Sequence, residues 1–266
     1  MKKILLYTIS VSFILIACNQ KHKKMTIKSE VVHYQDDSLS LTGLIAYDSA
    51  ITSKRPIVFI IHEWWGLNDY VQNRAKQLAA LGYFAVAVDM YGDGENATNV
   101  EDAAKFSAPF YSNPLMAKQR FDAAYSILKA YHQADTSNIA AIGYCFGGTM
   151  VLNLAKMGEP FKGAVSFHGG LAGVPAEKQK LQSRILICHG ADDKFVSVEE
   201  VKHFRREMDS IHAEYIFKEY KGATHAFSNP DATSWGKKFN IPIAYNGSAD
   251  SASWDEMKMF LGKVLN

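Results

Sequence analysis

Cysteine is scarce: the 266-residue chain has three, Cys18, Cys145 and Cys188. Once Cys18 is set aside, at most one intramolecular disulfide could form. An excess of one charge is also missing, with 29 Lys and Arg against 27 Asp and Glu. No basic block lies outside the first thirty or so residues, so nothing points to nucleic acid. After the N-terminal apolar run there is no second one long enough to cross a bilayer. Internal repeats and a second domain boundary are absent too, and about 250 residues beyond that run suit one α/β domain.

The N-terminus carries what the rest lacks. Lys2 and Lys3 precede an almost wholly apolar stretch, Ile4 to Ala17. It is too short for a stable spanning helix and reads as a secretory signal. It ends Leu15-Ile16-Ala17-Cys18, which resembles the bacterial lipoprotein box, with Cys18 lipidated as the first mature residue. The alternative is a plain signal peptide with an incidental cysteine. On the first reading, residues 1–18 are the signal, 19–29 a polar lysine-containing tether, and 30–266 the folded domain. Acyl chains would then hold an exported protein to a membrane surface without crossing it. The tether lysines would be solvated or touch anionic headgroups.

Within the domain, short apolar runs alternate with helical patterns. Strands are expected at Ile57–Ile61, Tyr83–Val88, Ile139–Gly143, Ala164–Phe167, Ile185–Cys188 and Tyr215–Phe217. Continuous apolar strands between helices predict a mostly parallel sheet covered on both faces. Val31–Tyr34 and Leu41–Tyr47 predict an antiparallel start. Helices are expected over Val71–Leu81, stopped by Gly82, from Pro114 through Leu128, and over Thr149–Met157, Val198–Ile211 and Ala252–Leu265. Tyr91–Val100 reads as a loop. The order gives a single, doubly wound α/β domain.

The strongest local signal is Gly143-Tyr144-Cys145-Phe146-Gly147-Gly148, after a strand and before a helix. That is the strand–turn–helix setting of a nucleophile elbow, with Cys in place of Ser. Glycines are required there because the turn is tight and Cβ atoms on either side would collide with neighbouring elements. A helix N-terminus beneath the sulfur favours the thiolate. A thiol nucleophile needs a base, and the base an orienting acid. Asp192 and Asp193 lie just past one strand, and His225 lies in the loop after the last strong one. His168 and His189 also end strands and read as local hydrogen-bonding residues. Trp64, Trp65, Tyr91 and Phe227 suggest an aromatic-lined pocket. Cys188, two strands from Cys145, would sit about 10 Å away, too far for a disulfide. Both thiols are therefore expected free, with Cys188 buried.

From about Val31 to its end the chain resembles the dienelactone hydrolase family of α/β-hydrolases. The resemblance is carried by the Cys145 motif, by His62-Glu63-Trp64-Trp65-Gly66-Leu67-Asn68, by Gly190-Ala191-Asp192-Asp193 and by Gly222-Ala223-Thr224-His225-Ala226-Phe227. It implies Cys145 as nucleophile, His225 as base and Asp193, rather than Asp192, as acid. It implies Glu63 as a carboxylate that takes up the thiol proton. The backbone N–H groups of Trp64 and Phe146 fall where the fold builds its oxyanion hole. The chain departs from the family where arginines clamp a substrate carboxylate. It has Asp93 in one region and Asn229 in the other, and Asp93 would repel an anion if it faced the pocket.

These residues lead to a hydrolase of a small-molecule carboxylic ester or lactone that forms an acyl-cysteine and needs no metal or organic cofactor. The alternative is a catalytically silent surface lipoprotein that binds a ligand on the same fold. The polar and aromatic segment from Trp235 to Asp250 is expected to form a lid or rim.

Overall fold

The computed structural model describes residues 25–265. The signal segment, Cys18 and most of the tether lie outside the described residues. The end of the tether assignment is already strand, because β1 starts at Ile27.

β1 (Ile27–Asp36) and β2 (Leu39–Asp48) form an antiparallel hairpin. β3 (Arg55–Ile61), α1 (Asp69–Ala80) and β4 (Phe84–Val88) follow. Then come α2 (Val100–Ser112), α3 (Leu115–Ser126), β5 (Ala134–Tyr144) and α4 (Phe146–Met157). β6 (Gly163–Phe167), β7 (Arg184–Gly190), α5 (Val198–Ser210) and β8 (Tyr215–Tyr220) complete the sheet. α6 (Ala232–Phe239) and α7 (Gly247–Val264) close the chain. The eight strands lie in the order β1-β2-β4-β3-β5-β6-β7-β8, parallel from β4 to β8. This is the α/β-hydrolase fold with an antiparallel start.

The continuous apolar strands have a direct reason. Successive side chains point to opposite faces, and both faces are buried. Ile57, Phe59 and Ile61 of β3 enter one core layer, and Val58 and Ile60 the other. The first layer packs against Phe110 of α2, Phe121 of α3, Met150 of α4 and Phe204 of α5. The second packs against Leu78 of α1 and Met257 and Leu261 of α7. Each large apolar side chain so buried stabilises the fold by roughly 1.5–3 kcal/mol.

Two helices were not expected. α2 begins where a loop was read, capped by Asn99, whose side chain accepts the Asp102 N–H at 2.8 Å. Pro109 lies inside it, and the helix continues to Ser112. α6 covers only the start of the expected lid segment, and α7 begins near its end. The expected helix from Pro114 ends at Ser126 and tightens into a 3-10 turn over Ile127–Ala130.

The topology gathers four loop starts at the carboxyl edge of the parallel strands: those after β3, β5, β7 and β8. Open α/β sheets keep their sites at this edge.

Candidate active site

The turn between β5 and α4 holds Cys145 at φ 53° and ψ −117°, outside the regions side chains favour. Such strain costs on the order of 1–3 kcal/mol and persists only where the surroundings enforce it. Here they do. A Cβ on Gly143 would lie 2.1 Å from the Gly147 carbonyl oxygen, and one on Gly147 would lie 2.2 Å from that of Ile61. Gly147 N–H donates to the His62 carbonyl at 3.0 Å, tying the turn to the end of β3. Cys145 N–H is shared between the Phe167 carbonyl at 2.9 Å and His168 Nδ1 at 3.1 Å.

The structure brings Cys145, His225 and Asp193 together. His225 Nε2 lies 3.0 Å from Cys145 Sγ, and His225 Nδ1 lies 2.8 Å from Asp193 Oδ2. The other oxygen of Asp193 accepts the Phe195 N–H at 2.8 Å, which fixes the carboxylate. Asp192 is exposed. Burial opposes a charge on His225, but Cys145 and Asp193 outweigh it and push its pKa up to about 10. An imidazole between a sulfur and a carboxylate thus keeps its proton at neutral pH.

Glu63 follows β3 and is buried. Burial pushes its carboxyl up to about 7, against the opposing effect of the Asn229 amide. Asn229 Nδ2 donates to Glu63 Oε2 at 2.5 Å, while Oε1 has no hydrogen-bond partner among the described residues. Asn229 is therefore occupied in fixing Glu63. Asp93 is exposed and does not line the cavity beside Cys145, so the repulsion expected from it does not arise there.

That cavity has a volume of about 480 Å³. Glu63, Trp64, Trp65, Cys145, Phe146 and His225 line it, with Tyr111, Thr149, Phe195 and Glu200 completing much of the wall. Two expected pocket aromatics lie elsewhere. Tyr91 sits behind the wall, its ring against His62 and Phe146 and its hydroxyl donating to the Trp64 carbonyl at 3.0 Å. Phe227 is fully buried in the core layer of α1 and α7. Ala226, at φ 58°, lines the cavity, and the next side chain turns away into the core. Tyr111 and Phe195 replace them. Tyr111 lies in α2, the helix not read from sequence.

The Trp235–Asp250 segment contributes to the wall. Trp65 packs between Trp235 and Phe239 of α6, and Ile243 lines the cavity and bridges to the backbone of His225. Phe146 is the first residue of α4, so its N–H precedes the first helical hydrogen bond. Trp64 lies in the turn after β3.

Two buried histidines support the site. His62 Nε2 accepts the Met90 N–H at 3.3 Å, so its Nδ1–H donates to the Glu63 carbonyl at 2.5 Å. Burial lowers its pKa to about 4, keeping it neutral. His168, also held neutral by burial and then by His225 and Arg74, donates from Nε2 to Ser228 Oγ at 2.7 Å. His189 departs from expectation: its buried Nδ1 has no hydrogen-bond partner among the described residues. Cys145 and Cys188 are both free, as expected. Cys188 is buried, and burial pushes its thiol up to about 12. Among the described residues, no group of three or more His, Cys, Asp or Glu is placed to hold a metal ion, and no helix is long and apolar enough to cross a membrane.

Comparison with known proteins agrees with this architecture. The model of the dienelactone hydrolase family matches residues 41–265. Protein usf of Aquifex pyrophilus is 28% identical over 207 residues, spanning 75% of this chain and 87% of that protein. A protein of Aquifex aeolicus, provisionally named a carboxymethylenebutenolidase, is 28% identical over 209 residues, with the same coverages of 75% and 87%. Among solved structures, a dienelactone hydrolase-like promiscuous phosphotriesterase from metagenomic libraries superposes with a TM-score of 0.83 at 32% identity, over 90% of this chain and 99% of that one. A chain that carries this fold, this elbow and this family match over nearly its whole described length is a hydrolase belonging to the dienelactone hydrolase family.

Proposed function

We propose that the protein hydrolyses a carboxylic ester or lactone through an acyl-cysteine formed on Cys145. The observation that carries this reading is Cys145 Sγ within 3.0 Å of His225 Nε2, with Asp193 on the ring's other nitrogen. In the first step the sulfur attacks the substrate carbonyl carbon. A C–S bond forms, the carbonyl electrons move onto oxygen, and the N–H groups of Trp64 and Phe146 hold that oxyanion. As the tetrahedral species collapses, the C–O bond breaks and His225 gives its proton to the departing alkoxide oxygen. His225 then takes a proton from water, the resulting hydroxide attacks the thioester, and the C–S bond breaks to release the acid. Asp193 holds the imidazole in the required tautomer throughout. Glu63 assists before the attack: its carboxyl titrates near neutrality, and its buried Oε1, without a hydrogen-bond partner among the described residues, takes the proton from the Cys145 thiol to leave the attacking thiolate, then returns it once the acid has been released. Oxyanion donors of this kind lower such barriers by about 3–4 kcal/mol.

Export and anchoring through Cys18 form part of the same proposal, supported by the basic start, the short apolar run and the Leu15-Ile16-Ala17-Cys18 sequence. The hydrolase reading is tested with Cys145→Ala against p-nitrophenyl butyrate. Loss of essentially all turnover is expected, and a variant with wild-type turnover would overturn it.

A further inference from the structure

What fixed charge the cavity wall carries is negative. None of the described residues lining it is Lys or Arg, and beyond the Cys145–His225 pair its acidic groups are Glu63 and Glu200. Glu200 is placed in an unusual way. Ser197-Val198-Glu199-Glu200 has the spacing of a capping box, in which the glutamate reaches back to the cap residue's N–H. Half of the box forms, with Ser197 Oγ accepting the Glu200 N–H at 3.1 Å. The carboxylate instead crosses to the segment after β6, where Oε1 accepts the Leu171 N–H at 2.6 Å and the Ala172 N–H at 3.0 Å. Gly170 lies beside it: a Cβ there would meet Glu200 Oε1 at 3.7 Å, an ordinary contact.

No Lys or Arg among the described residues lines the cavity beside it. Asn229 is committed to Glu63, and Asp93 faces solvent. The buried Arg74 donates to the Ser228 carbonyl and pairs with Asp250, outside this cavity. His225, the positive group among the described residues lining the site, is already flanked by the sulfur and by Asp193.

Resting on the hydrolase reading above, we propose that the cavity selects esters with an uncharged acyl group, and that Glu200 is the specificity-determining residue that turns away acyl groups bearing a carboxylate. A carboxylate entering this cleft would lose water, meet no cation, and approach a fixed carboxylate. An uncharged acyl chain avoids all three and gains contact with Trp64, Phe146 and Phe195.

The test compares kcat/KM for p-nitrophenyl butyrate and mono-p-nitrophenyl succinate, which differ chiefly in a terminal carboxylate. The butyrate ester should be preferred by about 100-fold at low salt. Glu200→Gln removes the charge and keeps an acceptor for both backbone N–H groups, and should narrow the preference about tenfold. The ratio of two substrates on one preparation cancels any loss of folded protein. Glu200→Ala should narrow it as well. Glu199→Gln should leave the ratio unmoved, because Glu199 is exposed and pairs with Lys202 on the surface. Cys145-dependent hydrolysis of the succinate at a rate equal to the butyrate would overturn the specificity proposal alone. So would an equal ratio in wild type and Glu200→Gln. Failure to turn over either ester would overturn the hydrolase reading and this proposal with it.

Discussion

At the residue scale, the site depends on two upward pKa shifts with opposite effects on charge, one keeping His225 protonated and the other favouring neutral Glu63. His225 is held up to about 10 by Cys145 and Asp193 despite its burial, so the imidazolium that the proposed mechanism uses survives well into the alkaline range. Asp193→Asn removes one source of that shift. Its alkaline limb of kcat/KM should move to lower pH, and kcat should fall on the order of 10²–10⁴-fold; a pH–rate profile checks both. Glu63 is shifted by burial from 4.5 to about 7. Between those values the folded protein binds a proton that the unfolded chain has released, so stability falls as pH rises through that window. Glu63→Gln should therefore resist urea better than wild type at pH 8, by on the order of 3 kcal/mol at most, with the difference shrinking toward pH 4. Urea midpoints at the two pH values measure it. The residues that meet around Cys145 were legible because elbow, acid and histidine follow one another in a fixed chain order. Phe227 and Tyr91 were misplaced for a local reason. Which way a loop side chain turns after a strand depends on single dihedral angles such as that of Ala226 at φ 58°, and no periodicity encodes them.

At the element scale, the elbow works because β3, β5 and α4 approach through glycine. Gly147→Ala would press a methyl group to 2.2 Å from the Ile61 carbonyl oxygen, a backbone atom that has no room to yield. The variant should lose several kcal/mol of stability or fail to fold, as thermal unfolding would show; an unchanged Tm would contradict the geometry. The strands of the sheet were readable because burial on both faces writes itself as continuous apolar runs. The N-terminal hairpin and the starts of α1 and α5 were readable within a few residues as well. α2 and α6 were not. A proline inside α2, a residue that ordinarily ends a helix, hides it in the sequence, and α6 is only eight residues long. Both matter to the site: α2 supplies Tyr111 to the cavity wall, and α6 braces Trp65.

At the scale of the whole molecule, one sheet edge assembles every group the proposed chemistry uses. If Cys18 is the lipidated N-terminus, a full-length chain expressed in a bacterial host should partition with membranes and incorporate labelled palmitate. Cys18→Ser should abolish the label, and labelling that persists in the variant would contradict the anchor. The central claim is a covalent one and can be met directly. Protein quenched with acid during turnover of p-nitrophenyl butyrate should carry one butyryl group, mapped by mass spectrometry to the peptide containing Cys145 and absent from Cys145→Ala. Turnover at the wild-type rate with that peptide unmodified, or with the acyl group found on another residue, would contradict the account.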